Sequence, residues 1–536
     1  MRSANQTSGS SGDCPDCSTT TLDTGVECCM TNAWSQEPVR RLPDWLQAQA
    51  LRRPLHPAIE TANGVLNYEE LLYAALSCAA SLYDQGLYAG QRAAVLLKDS
   101  YAHTIVLHAL IQLGAILVPL NWRLSAPELA YQVEDCDAQL LICDAQTMSL
   151  AQEVNQSYRF PAGVIEFAEL QTKGGRARDV FKADIDLTAP HCIVYTSGTT
   201  GRPKGAVITY QNHWWSAMGS VLQLGLRLDE RWLVPMPLFH VGGMGVLLRS
   251  LIYGTTVVAH NGFDVERVDK ALAYEGITLV SLVPAMLARL LDKRSDPYPD
   301  TLRAVLLGGG PAPKPLLERA LALGIPINQS YGLTESNTQV ATLMADDALA
   351  KVGSSGKPLA NVRLAIDSPD GPTSMPRVEG EILVQSPTVI AGYFNQPMAT
   401  EHAFRDGWLH TGDIGVFDDD GFLYVLDRRT DLIVSGGENV YPAEVESALM
   451  RLAGVQDAGV VAQANATWGQ VPVAFVVLKD GVELTDETLA QWRTRLRELL
   501  AHYKIPQAFY AVSSLPRNAS GKLLRRELRE WVKTRC

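Results

Sequence analysis

A short apolar strand, His191-Cys-Ile-Val-Tyr195, runs directly into Thr196-Ser-Gly-Thr-Thr-Gly-Arg-Pro-Lys-Gly205. This junction constrains the chain more than any other stretch. A loop rich in glycine, serine and threonine, with one lysine, can bring backbone N–H groups, hydroxyls and a cation onto a polyphosphate. The glycines permit the tight backbone, and consecutive N–H groups form an anion nest. The loop is not a Walker A motif, which needs Gly-x-x-x-x-Gly-Lys followed by Ser or Thr. Here Gly198 is followed by Gly201, Pro203 precedes Lys204 and Gly205 follows it. The chain is therefore expected to handle nucleotide phosphates without being an ordinary P-loop NTPase.

The rest of the pattern extends the α/β reading. Leu42 to Arg53 reads as an amphipathic helix ended by Pro54, and Tyr68 to Gln85 as a second helix. Thr104 to Leu120 reads as a buried helix running into a strand; it is too short and too interrupted for a membrane span. Arg92 to Leu97, Leu140 to Cys143, Leu279 to Val283 and Ala304 to Leu307 are short apolar strands, the signature of buried, parallel pairing. Near residue 360 the pattern shifts to strands (Val362 to Ile366, Gly380 to Val384, Gly421 to Leu426) cut by Gly, Asp and Pro turns, a smaller β-rich subdomain. Beyond residue 431 a helix (Pro442 to Leu452), a strand (Val471 to Leu478) and a helix (Asp486 to His502) make a compact α+β unit. The expected organisation is a disordered N-terminal extension (1–38), a large α/β domain of stacked mixed sheets (39–427), a hinge (428–430) and a small mobile C-terminal domain (431–536).

Composition narrows the partners. A chain of 536 residues is too long for one simple core. A formal net charge of −12 argues against nucleic acid as a partner. Five cysteines (Cys78, Cys136, Cys143, Cys192, Cys536) are scattered, as in a reduced cytoplasmic protein. Cys14, Cys17, Cys28 and Cys29 lie in a polar tail and miss zinc-ribbon spacing, so the tail reads as disordered rather than metal-binding. The first thirty residues carry no apolar signal-peptide region. An integral membrane segment is not expected, and a homo-oligomer is left open.

Further clusters carry chemistry. Leu306-Leu-Gly-Gly-Gly-Pro311 turns sharply after a strand, where glycines let a flat ligand lie against backbone. In Gln329-Ser-Tyr-Gly-Leu-Thr-Glu335 the Tyr331 ring can stack on a base, Thr334 can meet a phosphate and Glu335 can hold Mg²⁺ beside it; Glu335 also reads as a helix N-terminal charge. Asp413, closing Gly407-Trp-Leu-His-Thr-Gly-Asp413, suits a ribose diol, with Arg428 as a further contact. Ser435-Gly-Gly-Glu-Asn-Val-Tyr-Pro442 has paired glycines before a helix. Pro516-Arg-Asn-Ala-Ser-Gly-Lys522 carries a lysine able to neutralise a developing negative charge.

In this order and number, these clusters resemble the acyl-adenylate-forming superfamily over about residues 40 to 530. The resemblance implies two half-reactions: a carboxylate attacks the α-phosphate of ATP, then a thiol, usually coenzyme A, displaces AMP. Both call for charge neutralisation and positioning. By this resemblance Thr196, Ser197, Gly198, Thr199, Thr200, Gly201 and Lys204 line the β/γ-phosphate loop. Gly308, Gly309, Gly310, Pro311, Gln329, Ser330, Tyr331 and Gly332 frame the adenine. Thr334 and Glu335 bind phosphate and Mg²⁺, and Asp413 and Arg428 hold the ribose. Lys522 assists adenylation, and its loss is expected to cost a rate factor on the order of 10²–10³. Gly436 and Gly437 line the pantetheine tunnel. Thr430 sits at the hinge, where many relatives carry Asp or Lys.

Gln211-Asn-His-Trp-Trp-Ser-Ala217, Pro237-Leu-Phe-His-Val-Gly-Gly243 with Arg249, and Thr467-Trp-Gly-Gln470 resemble one branch, the o-succinylbenzoate–CoA ligases of menaquinone (vitamin K2) biosynthesis. That branch implies an aryl dicarboxylic acid as substrate, activated at its succinyl carboxylate while the aromatic carboxylate stays bound. A buried carboxylate needs a cationic partner, and Arg249, in an apolar segment, is the candidate; a snorkelling surface arginine is the competing reading. His240 matches the family's aromatic gate beside the acyl site, against a satisfied core histidine. The same-class alternative is a CoA ligase for another aryl or medium-chain fatty acid. The other readings are a peptide-synthetase adenylation module, for which no carrier domain follows Lys522, and a non-catalytic nucleotide-binding protein, which would have lost one of the clusters.

Overall fold

The computed structural model describes residues 40–172, 182–196, 203–310, 312, 314–427, 432–479, 481–517 and 523–535. The expected N-terminal tail, with Cys14, Cys17, Cys28 and Cys29, lies outside them, as do Ser197 to Gly201, Pro311, Arg428, Thr430 and Lys522. Residues 41–536 form one contact unit.

Two large sheets carry the N-terminal part, one of seven strands and one of nine. The short apolar runs are their interior strands. Leu140–Cys143 and Ala304–Leu307 pair in parallel with Arg92–Leu96 and Leu279–Leu282 respectively. Each strand is buried along nearly its whole length, so both faces are covered and the residues are apolar without alternation. Helices flank the sheets: Ser100–Leu113, thirteen of whose residues are buried, ends at Gly114 in the left-handed conformation and runs into strand Ile116–Pro119. Beyond residue 360 a five-stranded antiparallel sheet forms from Arg363–Ile366, Gly380–Gln385, Trp408–Phe417, Leu423–Asp427 and Phe404–Arg405. Trp408–Phe417 alternates half-buried and buried residues, as a strand with one wet face does. The fold is mixed α/β with stacked sheets, a β-rich subdomain and a small α+β C-terminal domain.

In the C-terminal part, Val455–Asn465 and Gly469–Leu478 form a long hairpin, with Ala508–Ala511 added in parallel to the second strand. Helices Pro442–Leu449 and Asp486–Leu499 supply Val445, Leu449, Trp492 and Leu496 to a core against this sheet. The helix beginning at Asp486 ends at Leu499, before a separate 3₁₀ turn at His502–Lys504.

The first helix differs from its sequence reading. It spans Trp45–Arg52, capped by the Asp44 carboxylate, which accepts from Gln47 N at 2.8 Å. Leu42 and Pro43, expected within it, belong instead to strand Arg41–Pro43, which pairs with Asp184–Asp186. A short apolar segment takes the conformation of the partner it meets, and here that partner lies far along the chain. Among the described residues no helix is long and apolar enough to cross a membrane.

Candidate active site

The C-terminal ends of the parallel strands open onto a cavity of about 340 Å³, whose far wall is the C-terminal domain. Thr196 ends strand Pro190–Thr196 and stands opposite Lys204, the first residue of the antiparallel strand Lys204–Thr209. Thr196 and Pro203, which flank the expected phosphate loop, both line the cavity. The Lys204 ammonium lies 5.2 Å above the Tyr393 ring. The Tyr393 hydroxyl donates to Glu335 Oε1 at 2.8 Å, while the Glu335 carbonyl accepts from Ile390 N at 3.0 Å. Sequence reasoning missed Tyr393, which ties the cation of the loop to the expected metal carboxylate.

Glu335 and Thr334 both face the cavity. Among the described residues no Lys or Arg pairs with Glu335. A cavity-lining carboxylate without a cationic side-chain partner fits Mg²⁺, which favours one or two carboxylates plus substrate phosphates.

Gly308 and Gly309 follow strand Ala304–Leu307 and line the cavity with Ser330 and Gly332 of the neighbouring strand Ile327–Leu333. Gln329 and Tyr331, alternating with them, turn to the core. The Gln329 amide donates to the Ser354 carbonyl at 3.0 Å, and the Tyr331 ring, 2% exposed, sends its hydroxyl to Asp413 Oδ2 at 2.8 Å. Asp413 is itself buried and lines the cavity, so Tyr331 fixes the expected ribose carboxylate from behind. Gly332 has a steric reason to be glycine: a Cβ there would lie 1.8 Å from the Thr338 carbonyl oxygen.

On the opposite wall, Gly436 and Gly437 are the two-residue turn between Ile433–Ser435 and Glu438–Val440. Their φ angles of +61° and +88° are those a tight hairpin demands. Cβ atoms added here would fall 2.6 Å from the Trp468 ring and 3.3 Å from Val283. The next residue, Glu438, is a further one that sequence reasoning missed. Its carboxylate receives Arg123, His240 Nε2 at 3.1 Å and Asn121 Nδ2 at 3.4 Å. Burial pushes the Glu438 carboxyl up, but His240 and Arg123 together outweigh burial and hold it down at about 2. His240, 43% exposed in its side chain, is therefore an inter-domain partner rather than a core histidine. A second inter-domain cluster lies nearby: Lys504 donates to Glu128 at 2.7 Å and Glu444 at 2.8 Å. Nothing in the sequence pattern singled out Asn121, Arg123 or Lys504.

Arg249 sits in helix Val241–Tyr253 and is 3% exposed, which removes the snorkelling reading. It lines the cavity. It donates to Thr338 Oγ1 at 2.6 Å, Ser216 Oγ at 3.1 Å and Gln339 Oε1 at 3.4 Å, all neutral acceptors. Among the described residues no carboxylate pairs with it, and its Nε has no partner. Burial lowers its pKa from the ordinary arginine value. Thr338 reaches it from a rare conformation: its φ is +103°, and the preceding Asn337 has φ +48°. A β-branched residue there costs on the order of 1–3 kcal/mol.

A family model described as AMP-binding enzyme matches residues 46–394, and one described as AMP-binding enzyme C-terminal domain matches residues 444–522. The chain belongs to the AMP-binding enzyme family. The 2-succinylbenzoate–CoA ligase of Bacillus mycoides (strain KBAB4) is 46% identical over 492 residues, 92% of this chain and 99% of that protein. A double mutant of Bacillus subtilis o-succinylbenzoate CoA synthetase, bound with its product analogue OSB-NCoA, matches with a TM-score of 0.86 at 39% identity, over 91% of this chain and 98% of that one. The same synthetase in complex with ATP and magnesium matches with a TM-score of 0.70 at 40% identity, over 91% of this chain and 100% of that one.

Proposed function

We propose that this member of the family is an AMP-forming acid–thiol ligase acting in the cytoplasm. It converts 2-succinylbenzoate, CoA and ATP into 2-succinylbenzoyl-CoA, AMP and diphosphate, a step of menaquinone biosynthesis. The observation that carries the choice of acid is Arg249, a buried cation on the cavity wall with only neutral partners. An activated monocarboxylic acid leaves no charge for it. A dicarboxylate whose succinyl end reacts leaves its aromatic carboxylate to be neutralised, and burial makes that pairing selective.

In the first half-reaction a succinyl carboxylate oxygen attacks the α-phosphorus of ATP. The bond from that phosphorus to the bridging oxygen breaks, and diphosphate leaves. Thr196 to Gly201 and Lys204 hold the departing phosphates, Asp413 and Arg428 hold the ribose, and Lys522 meets the charge developing at the α-phosphate. Thr334 meets a phosphate, and Glu335 would hold Mg²⁺, which would offset phosphate charge. In the second half-reaction the CoA sulfur attacks the acyl carbon, the bond to AMP breaks, and AMP leaves as a phosphate anion; the thiol proton passes to solvent. Gly436 and Gly437 provide the narrow approach for the pantetheine arm. Residues 39–427 and 431–536 act as two domains about a hinge at 428–430, and the higher TM-score against the product-analogue complex than against the ATP complex supports reading the present arrangement as that of thioester formation.

Thioester formation from 2-succinylbenzoate, ATP and CoA, followed by chromatography beside a panel of aryl and medium-chain acids, tests the assignment. The expected result is a strong preference for 2-succinylbenzoate. Arg249→Ala is expected to raise its KM roughly tenfold or more, the loss of one charge-assisted contact. Preference for a monocarboxylate, or indifference to Arg249→Ala, would overturn the choice of acid.

A further inference from the structure

Behind Arg249 runs a chain of buried polar side chains that no part of the proposed chemistry uses. His191 and His213 are 1% and 3% exposed, and Asn337 is 1% exposed. His191 Nδ1 and His213 Nε2 share a hydrogen bond at 2.9 Å, and the other nitrogen of His213, Nδ1, lies 3.2 Å from the Asn337 amide nitrogen. Burial lowers both imidazoles far below their ordinary range; His191 falls to about 3, with His108 adding to the effect, while His191 and Arg249 add to the effect on His213. Both rings are therefore neutral at physiological pH. The orientation follows: the Asn337 amide donates to His213 Nδ1, and His213 Nε2–H donates to His191 Nδ1. His213 thus serves both neighbours with its two ring nitrogens.

Asn337 is the residue that places Thr338. The pair forms the left-handed turn leading into strand Thr338–Leu343, and that turn brings Thr338 Oγ1 within 2.6 Å of the Arg249 guanidinium. Thr338 Oγ1 is also 2.8 Å from Ser216 Oγ, and Ser216 lies one helical turn after His213 on helix Tyr210–Leu224. One helix therefore grips the strained turn twice, through His213 to Asn337 and through Ser216 to Thr338. Strain of this kind persists only where the surroundings over-determine it.

We propose that His213, backed by His191, is a positioning residue for acid selectivity: it holds the Asn337–Thr338 turn that aims Arg249 into the cavity. The proposal rests on the reading that Arg249 receives the aromatic carboxylate, and the comparison with Arg249 variants keeps the two separable. His213 does not touch the substrate; it acts through Asn337 and Thr338. An imidazole with an acceptor on one nitrogen and a donor on the other meets this requirement, which leucine does not and which the glutamine amide meets in part.

The test measures KM and kcat for 2-succinylbenzoate, and for the analogue lacking the ring carboxylate, in His213→Leu, His213→Gln, Asn337→Gly and Arg249→Ala. Asn337→Gly adopts a φ of +48° without strain and deletes only the contact to His213, so it guards against simple misfolding. His213→Leu and Asn337→Gly are expected to raise KM for 2-succinylbenzoate about tenfold, with kcat and KM for ATP within about twofold. Selectivity over the monocarboxylate analogue should fall by the same factor, and His213→Gln should restore part of it. Unchanged KM in both His213→Leu and Asn337→Gly, alongside a raised KM in Arg249→Ala, would overturn the positioning role alone. Equal losses for both acids and for ATP would also overturn it, as a general packing defect. An unchanged KM in Arg249→Ala would overturn the reading beneath it.

Discussion

At the scale of single residues, the site works by fixing carboxylates from behind. Tyr331 does this for Asp413, and Tyr393 does it for Glu335. Neither tyrosine offers charge; each spends a hydroxyl to set the direction of a carboxylate that faces the cavity. Tyr393→Phe separates this role from packing, because the ring and its contact with Lys204 remain. Loss of one such hydrogen bond corresponds to about 0.5–1.5 kcal/mol. The expected result is a KM for MgATP raised roughly two- to tenfold, with KM for the acid unchanged, measured by ATP–diphosphate exchange. A matching rise in the KM for the acid would instead indicate collapse of the wall they share.

At the scale of elements, glycine allows backbone segments to meet where a side chain would keep them apart. Strand Ile327–Leu333 and strand Thr338–Leu343 pair through an irregular step at Tyr331 and Gly332, and the Thr338 carbonyl sits where a Gly332 Cβ would be. Gly332→Ala is therefore expected to destabilise the protein by about 1–3 kcal/mol and, on the proposed assignment of this wall to the adenine, to weaken ATP binding. A melting temperature equal to that of the parent would refute the packing argument. Other strands differ in how far they were legible in the sequence. Buried strands such as Leu140–Cys143 and Ala304–Leu307 were readable residue for residue, since sheets covered on both faces demand unbroken apolar runs. Leu42 and Pro43 were read as helix because Asp184–Asp186, the partner of their strand, is remote in the chain. The site divides in the same way. Gly436, Gly437 and Glu335 stand in motifs whose local composition reveals chemistry. Arg123 and Lys504 find their carboxylates 315 and 376 residues away, and no window of sequence contains both partners.

At the scale of the whole molecule, two charged clusters fasten the C-terminal domain to the cavity, and they respond to protons in opposite senses. Glu438 is held down at about 2 when docked, so its contribution is fully present above the ordinary carboxylate range and is lost as pH falls through that range toward 2. Glu444 is shifted the other way: burial raises its pKa, Glu128 raises it further, and Lys504 opposes both. Lys504 is thus the cation that lets two buried carboxylates stay docked at neutral pH. Removing one member of such a cluster leaves charge buried without a partner, which costs about 3–5 kcal/mol. Lys504→Met is accordingly expected to slow thioester formation from preformed acyl-adenylate about tenfold or more at pH 8. On the proposed two-arrangement cycle, ATP–diphosphate exchange uses the other arrangement and should stay within about twofold. The sign of the pH effect follows from the raised carboxyl: docking in the variant takes up a proton, so its thioester rate should recover between pH 8 and pH 6 while that of the parent does not. Single-turnover measurements across that range decide the matter. A pH-independent defect, or an equal loss in the exchange reaction, would show that Lys504 supports the fold of its own domain rather than its docking.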